Sequence, residues 1–497
     1  MWTVALLALT VILRVCSSSR VGLPPGIPIA GKRSFLEPTW LLRLRFIRGA
    51  RHIIQCGYRQ YRDIFVVHRL GADIVVIGDQ KFLEEIRTQT RDSARSVQPF
   101  LNDFHSRYTK GQVFGDSDLQ NRVLQQRLTP HIPRLIPTMV NEGFTALQRE
   151  TNLAASTEWN ELDPTTIFPR IAASIVSRIW LGDAGKYNEQ WVDIGANYTR
   201  SVFLTGFMLR FVPQIFRPLI VWTIPQYRTL RKSIRDARRV IAALIQERAT
   251  ANKEDFNDVL QWMLDMGSGN ELDVDNLAQR ILILSLSGIH TTALTIAQAL
   301  YDICASPGQL ETLREEIAMV LGPMESWDRA SLAKLDKMDS LIKESQRRNP
   351  VFLLTFQRIL PCDVALSNGL NLPAGTRIAV PQHAIANDAA LIPGGEPDSY
   401  KPWRYAQLRA ESENENKYHF AMVDSSHMAF GFGKYACPGR FFVSNEIKII
   451  LAQMLLEYDL DLTAGSSRPK NFTIDADMYP DRKARLRIRR RVASSQQ

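Results

Sequence analysis

Hydrophobic and polar positions change their period several times along these 497 residues, and each change predicts an element. Trp2 to Leu13 is almost wholly apolar, and Arg14 closes the run. That is shorter than the roughly 20 residues that span a bilayer comfortably, and no positive residue precedes it as in a secretory signal. It reads either as a signal-like core or as a minimal anchor, with Arg14 reaching the interface and Arg20 on the cytosolic side. Leu23-Pro24-Pro25-Gly26-Ile27-Pro28 then predicts a stiff, extended hinge. Ile64 to Val67 and Ile74 to Ile77 read as strands, followed by a helical pattern toward Ile86. Ser96 to Asp118 has no clear period; its Phe100, Phe104, Tyr108 and Phe114 either line a pocket or pack a core.

Leu119 to Leu128 reads as helix. Phe203 to Pro225 is strongly apolar, but prolines at 213, 218 and 225 break it into short pieces, so it is not one spanning helix. It packs a core or forms a surface loop that dips into lipid. Asp273 to Ala305 predicts a long, mostly apolar, proline-free helix. Small or hydroxylic residues recur along one side of it, at Leu284 or Ser285, Gly288, Thr291 or Thr292, and Thr295. A mid-helix glycine costs about 1 kcal/mol against alanine, so Gly288 implies some close approach. Phe441 to Leu456 is a further apolar-periodic run. From Arg482 to Arg491, Arg485, Arg487 and Arg489 alternate with Leu486 and Ile488, a half-buried strand with a basic face.

Composition narrows the picture modestly. Length alone allows two or three domains, but no repeat or low-complexity tract divides the chain. The five cysteines (Cys16, Cys56, Cys304, Cys362, Cys437) are odd in number and widely spaced, which argues against a disulfide framework or a zinc site and for a reducing compartment. The net charge of +10 suits an anionic membrane surface or an acidic protein partner. Without aromatic interleaving, the basic strand gives little support to nucleic-acid binding.

The chemistry concentrates around one cysteine. Phe430-Gly431-Phe432-Gly433-Lys434-Tyr435-Ala436-Cys437-Pro438-Gly439-Arg440 sets Cys437 among three glycines, directly before a helix. Gly431 and Gly433 let the backbone turn tightly and approach something flat. The helix start and loop amides would stabilise a thiolate, and a thiolate so held is a good axial ligand for haem iron. Glu344 and Arg347 lie three apart on one helix face, where they can pair.

Phe430-x-x-Gly433-x-x-x-Cys437-x-Gly439 resembles the haem-ligand loop of the cytochrome P450 family. Ser287-Gly288-Ile289-His290-Thr291-Thr292 resembles its oxygen-binding motif, and Glu344-x-x-Arg347 with Arg404 its buried ion-pair lock. The resemblance covers nearly the whole chain. It implies a mainly α fold with a smaller β region around a buried haem b. Residues 1–20 would be a membrane anchor and flank, 21–31 a proline-rich hinge and 32–497 a single haem-thiolate catalytic domain. Cys437 would ligate iron, Gly288 would make room for dioxygen, and Thr291, with Thr292 and His290, would deliver protons. His290 stands where an acidic residue is common, and as a group titrating near neutral pH it could relay protons instead.

Two departures bear on the haem propionates. Tyr435 replaces the usual Arg or His and carries no positive charge. Asn121 and Gln125 occupy the slots of an aromatic or His and a basic residue. The propionates would then fall to Arg358, with Arg122 or Arg127 as further candidates.

The activity implied is monooxygenation of a small hydrophobic substrate, a terpenoid or indole terpenoid by likeness to fungal members. Electrons would come from an NADPH-cytochrome P450 reductase drawn to a basic face including Lys434 and Arg440. The location implied is the endoplasmic reticulum membrane, with the catalytic domain facing the cytosol and no nucleic-acid partner. Phe352, Leu353, Leu354 and the Met478-Tyr479 turn would shape the pocket. The rivals are a thiolate-haem isomerase or dehydratase that does not use dioxygen, and a haem-binding membrane protein without activity.

Overall fold

A computed structural model describes residues 23–491 apart from 90–96, 153–156, 187, 253–255, 307 and 464–466. The anchor reading of residues 1–20 lies outside the described residues. In chain order come α1 (Thr39–Tyr61), β1 (Ile64–Arg69), β2 (Ala72–Ile77), α2 (Thr129–Thr151), β3 (Asn160–Leu162), α3 (Pro164–Leu181) and α4 (Glu189–Arg210). Then follow α5 (Pro225–Thr250), α6 (Val274–Cys304), α7 (Asp336–Arg348), β4 (Thr355–Ile359), β5 (Val364–Ala365), β6 (Asn371–Leu372) and β7 (Arg377–Val380). The chain closes with α8 (Arg440–Glu457), β8 (Tyr458–Leu462), β9 (Phe472–Ile474), β10 (Asp477–Tyr479) and β11 (Leu486–Arg490), and shorter helices fill the connections.

Two apolar cores divide the molecule. α1 buries Leu42, Phe46, Ala50, Ile53, Ile54 and Tyr58, a helical spacing, against a sheet of order β1-β2-β7-β4. The larger core is helical. α6 runs through it against α3, α4, α5 and α7. α6 is also the only described helix long and apolar enough to cross a membrane, but most of its apolar window is buried in the protein. The Cys437 loop straddles the seam, since Phe430 packs on the helical core and Phe432 on the sheet core. The loop is therefore anchored on both cores.

The basic strand is less bare than its sequence suggests. β11 pairs antiparallel with both β8 and β3, turning Leu486 and Ile488 inward. Its arginines meet carboxylates: Arg485 lies 3.4 Å from Asp163, Arg487 3.8 Å from Asp461 and Arg489 3.1 Å from Asp459. Arg487 and Arg489 also stack on Trp159, each 4.7 Å from the ring centre. The Phe203 to Pro225 stretch divides between its two readings. Leu209, Val212 and Val221 are buried, whereas Ile215, Leu219 and Trp222 are exposed.

Candidate active site

Cys437 is fixed by its loop rather than by its side chain. Gly431 and Gly433 take φ of +77° and +70°, the left-handed region that a side chain disfavours. That turn lets the Cys437 amide donate to the Phe430 carbonyl at 2.7 Å. Phe430 is wedged edge-on against Phe420, with centroids 5.2 Å apart. Gly439 caps α8, and a Cβ there would stand 4.0 Å from the Cys437 sulfur. The Arg440 guanidinium donates to the Cys437 carbonyl at 2.9 Å. Burial pushes the thiol up, while the Gly439 and Arg440 amides and the Arg440 charge favour the thiolate. The sulfur lies deep in the fold, yet the residue keeps partial access on one side. A cation on that side would tip the balance to thiolate.

α6 carries the second group of candidate residues. Its neighbours are almost all buried, but Ser287 is exposed and Gly288, His290, Thr291 and Leu294 are only partly covered. They form one open stripe on a core helix. A Cβ at Gly288 would meet only Val176 Cγ2, at an ordinary 3.6 Å, so packing among protein atoms does not require glycine there. The Thr291 hydroxyl donates to the Ser287 carbonyl at 2.7 Å. Its oxygen lone pairs stay available on the open side.

His290 differs from the sequence expectation of a group titrating near neutrality. Burial pushes it down to about 4, its Nε2 has no partner, and Phe203 stands edge-on to it at 6.5 Å. At neutral pH it is an uncharged imidazole, which passes a proton only by trading one ring N–H for another. Thr292 points away from the stripe, fully buried, toward Glu446 of α8. Burial holds the Glu446 carboxyl far above the usual range; the Thr292 hydroxyl favours its charged form but does not reach hydrogen-bond geometry. Sequence reasoning passed over Glu446, which shows no spacing signal.

Arg358 on β4 tests whether the chain suits a haem. Its side chain is buried, yet among the described residues its guanidinium meets no acceptor. It lies 3.8 Å over the Phe356 ring and 4.8 Å over the Tyr435 ring, and burial lowers it to about 10. A buried cation without an anion is costly, and a haem propionate would remove that cost. Tyr435 thus presents a ring to the cation instead of supplying one itself. Arg87, missed in the sequence, brings its charge near Arg358 and its side chain beside Gly433, although its guanidinium is already paired with Glu84 at 2.7 Å.

Arg122 is placed elsewhere. Its Nε donates to Asp118 at 2.9 Å and its Nη2 lies 3.4 Å from both Glu271 oxygens, tying the turn before α2 to the segment before α6. Its charge is already matched there. Gln125 lines a cavity of about 260 Å³ with Gly433, Lys434, Pro438 and Arg440, on the outer side of the cysteine loop.

Behind the loop, Glu344 on α7 is wholly buried. Arg347 grips both its oxygens at 2.8 Å, Arg404 adds a bond at 3.2 Å and the Lys401 amide another at 3.1 Å. The two arginines spread their remaining donors over the carbonyls of Pro393, Gly395, Pro397 and Ser399. One carboxylate therefore orders the whole stretch that leads toward Cys437.

A chain of rings lines the open stripe. Phe100 lies 4.5 Å from Phe104, Phe104 5.0 Å from Phe203, and Phe203 faces His290. The same rings, with Tyr108 and Phe114, pack on the helical core.

Comparison with known proteins agrees with this geometry. The family model described as Cytochrome P450 matches residues 40–483. The ent-kaurene oxidase P450-4 of Gibberella fujikuroi is 48% identical over 97% of this chain and 95% of its own length. A cytochrome P450 monooxygenase of Emericella nidulans is 38% identical over 95% of this chain and 89% of its own, and one of Penicillium paxilli 32% identical over 92% and 89%. Likeness running almost end to end, from the family model over residues 40–483 to relatives covered nearly in full, places this chain in the cytochrome P450 family, among its monooxygenases.

Proposed function

We propose that this monooxygenase inserts oxygen into an apolar terpenoid, with ent-kaurene the first substrate to test, drawing electrons from an NADPH-dependent reductase at the membrane of the endoplasmic reticulum. The carrying observation is the wall of Phe100, Phe104 and Phe203 beside the α6 stripe. Such a wall offers a ligand contact area and almost no hydrogen bonds, which suits a hydrocarbon skeleton. The name of two relatives 48% identical to this chain, ent-kaurene oxidase, supports the same substrate class.

Cys437 would hold the haem iron and Arg358, with Arg87 near it, the propionates. When bound, the haem supplies the iron at which dioxygen is activated. Gly288 leaves the α6 surface open, and the Thr291 hydroxyl, bonded to the Ser287 carbonyl, would hold a water or pass a proton from that surface. His290, uncharged and screened by Phe203, keeps the wall neutral. Lys434 and Arg440 beside the outer cavity would meet an acidic reductase. A second cavity, about 630 Å³, is rimmed by Leu23, Arg210, Ile215, Pro218 and Arg377 and would admit substrate from the lipid side. Residues 1–20 would anchor the chain, 21–31 would act as hinge and 32–497 as the catalytic domain.

The test is coexpression with a reductase and feeding of ent-kaurene, following products by mass spectrometry. Oxygenated product should require NADPH, reductase and oxygen together. Product formed without oxygen would establish the isomerase reading, and haem binding without any product from a panel of terpenoids would sink the substrate proposal.

A further inference from the structure

We propose that α5 carries a stripe for anionic phospholipid headgroups, which holds the exposed Ile215, Leu219 and Trp222 against the bilayer. Arg228, Arg231, Lys232, Arg235, Arg238 and Arg239 recur at spacings of three and four and are all exposed, so they share one helix face. The opposite face, through Tyr227, Leu230, Ala237, Ile241 and Leu244, is buried.

The two ends of the stripe differ. Toward the C-terminus, Arg238 pairs with Asp275 at 2.9 Å and Arg239 with Asp236 at 3.3 Å. Toward the N-terminus, Arg228, Arg231, Lys232 and Arg235 have no carboxylate in ion-pair reach among the described residues. These unmatched cations lie beside the apolar tips. The Arg231 guanidinium sits 4.7 Å over the Trp222 ring, and Ile215, Leu219 and Trp222 are 78%, 75% and 51% exposed. Four like charges on one face repel one another, and a layer of headgroup phosphates relieves that repulsion. Trp beside Arg is also a pairing suited to the boundary between headgroups and acyl chains.

The aliphatic tips favour a bilayer over an acidic protein, because they would stay wet at a polar rim but would be buried among acyl chains. Chain direction agrees. Leu23 shares a cavity rim with Ile215 and Pro218, and the apolar Trp2–Leu13 run precedes it in sequence. The inference rests on the membrane placement proposed above and adds a preference for lipid charge.

The test places the full chain in vesicles of phosphatidylcholine alone, or with phosphatidylserine added, using brominated acyl chains as quencher. The Trp222 signal is taken as the difference from a Trp222→Phe variant. Quenching of Trp222 should be at least about twice as large in the serine-containing vesicles and should fall to the neutral-lipid level in high salt. The Arg228→Gln/Arg231→Gln/Lys232→Gln/Arg235→Gln variant should lose the preference while keeping the absorption spectrum of the wild type, which shows that it is folded. Equal quenching in both lipids would overturn the stripe alone. No Trp222 quenching in either would overturn the membrane placement with it. A variant that keeps its lipid preference but loses reductase-supported turnover in detergent would assign the stripe to a protein partner instead.

Discussion

Arg347 and Arg358 are equally hidden from water, at 1% and 3% exposure, and live in opposite electrical surroundings. Arg347 has both oxygens of Glu344, the Asn387 side chain and two backbone carbonyls as acceptors. Arg358 has two aromatic rings and no acceptor among the described residues. The difference separates two uses of a buried cation. A matched one orders the protein itself, whereas an unmatched one keeps its hydrogen bonds free, as the propionate role proposed above would need. The same contrast runs between two segments: residues 393–404 are tied to Glu344, Arg347 and Arg404, while α6 leaves Gly288 and Thr291 partly uncovered.

The comparison can be broken in five places. Cys437→Ser should give the largest effect, with loss of all oxygenase activity and of the red-shifted Soret band of the reduced carbonyl form; turnover surviving in that variant would end the argument. Arg347→Met takes the two shortest bonds from the buried Glu344, leaving it only Arg404 and the Lys401 amide, and should cost about 3 kcal/mol, seen as a fall in folded yield and in the denaturation midpoint. Arg358→Met should do the reverse to the bare chain. Haem affinity should fall by roughly tenfold or more, the scale of a lost bond to a charged group, while the haem-free protein unfolds at the same or a higher denaturant concentration.

Gly288→Ala pits fold against function. The new methyl has room against Val176, and the helix should gain about 1 kcal/mol. Thermal stability should therefore rise as oxygen-coupled turnover falls several-fold; turnover unchanged would mean that the open stripe is not used. The smallest effect concerns acid. Because His290 binds its proton less readily folded than unfolded, its contribution is fully present above the unfolded value of about 6.5. It should be lost as pH falls toward about 4. His290→Gln should flatten the stability profile across that window and leave the profile from pH 7 to 8 unchanged.

Local spacing made much of the site legible. Cys437 with its glycines, Gly288 with Thr291, and Glu344 with Arg347 all lie within one loop or two helical turns, so their geometry follows from neighbours in the chain. Residues whose meaning depends on distant partners were not legible. Arg122 meets Glu271 from 149 positions away, and nothing in the Leu119–Leu128 pattern announces that pairing. The departure of His290 from neutral titration comes from burial beside Phe203, and Arg87 reaches Gly433 only once α1 and the sheet have folded. Periodicity predicts β1, β2, α6, α8 and β11, whereas nothing in the pattern announced α1 to α5. The pieces after α4 were ambiguous because their apolar residues serve two surroundings at once.

The ring chain has a consequence for how such a protein diversifies. Phe100 and Phe104 belong to the segment before α2, Phe203 to α4 and His290 to α6, so each panel of the wall is mounted on a different support. Under the function proposed above, trimming one ring would recontour the substrate wall without touching the sulfur loop or its carboxylate brace. New molecular shapes would then be fitted one panel at a time.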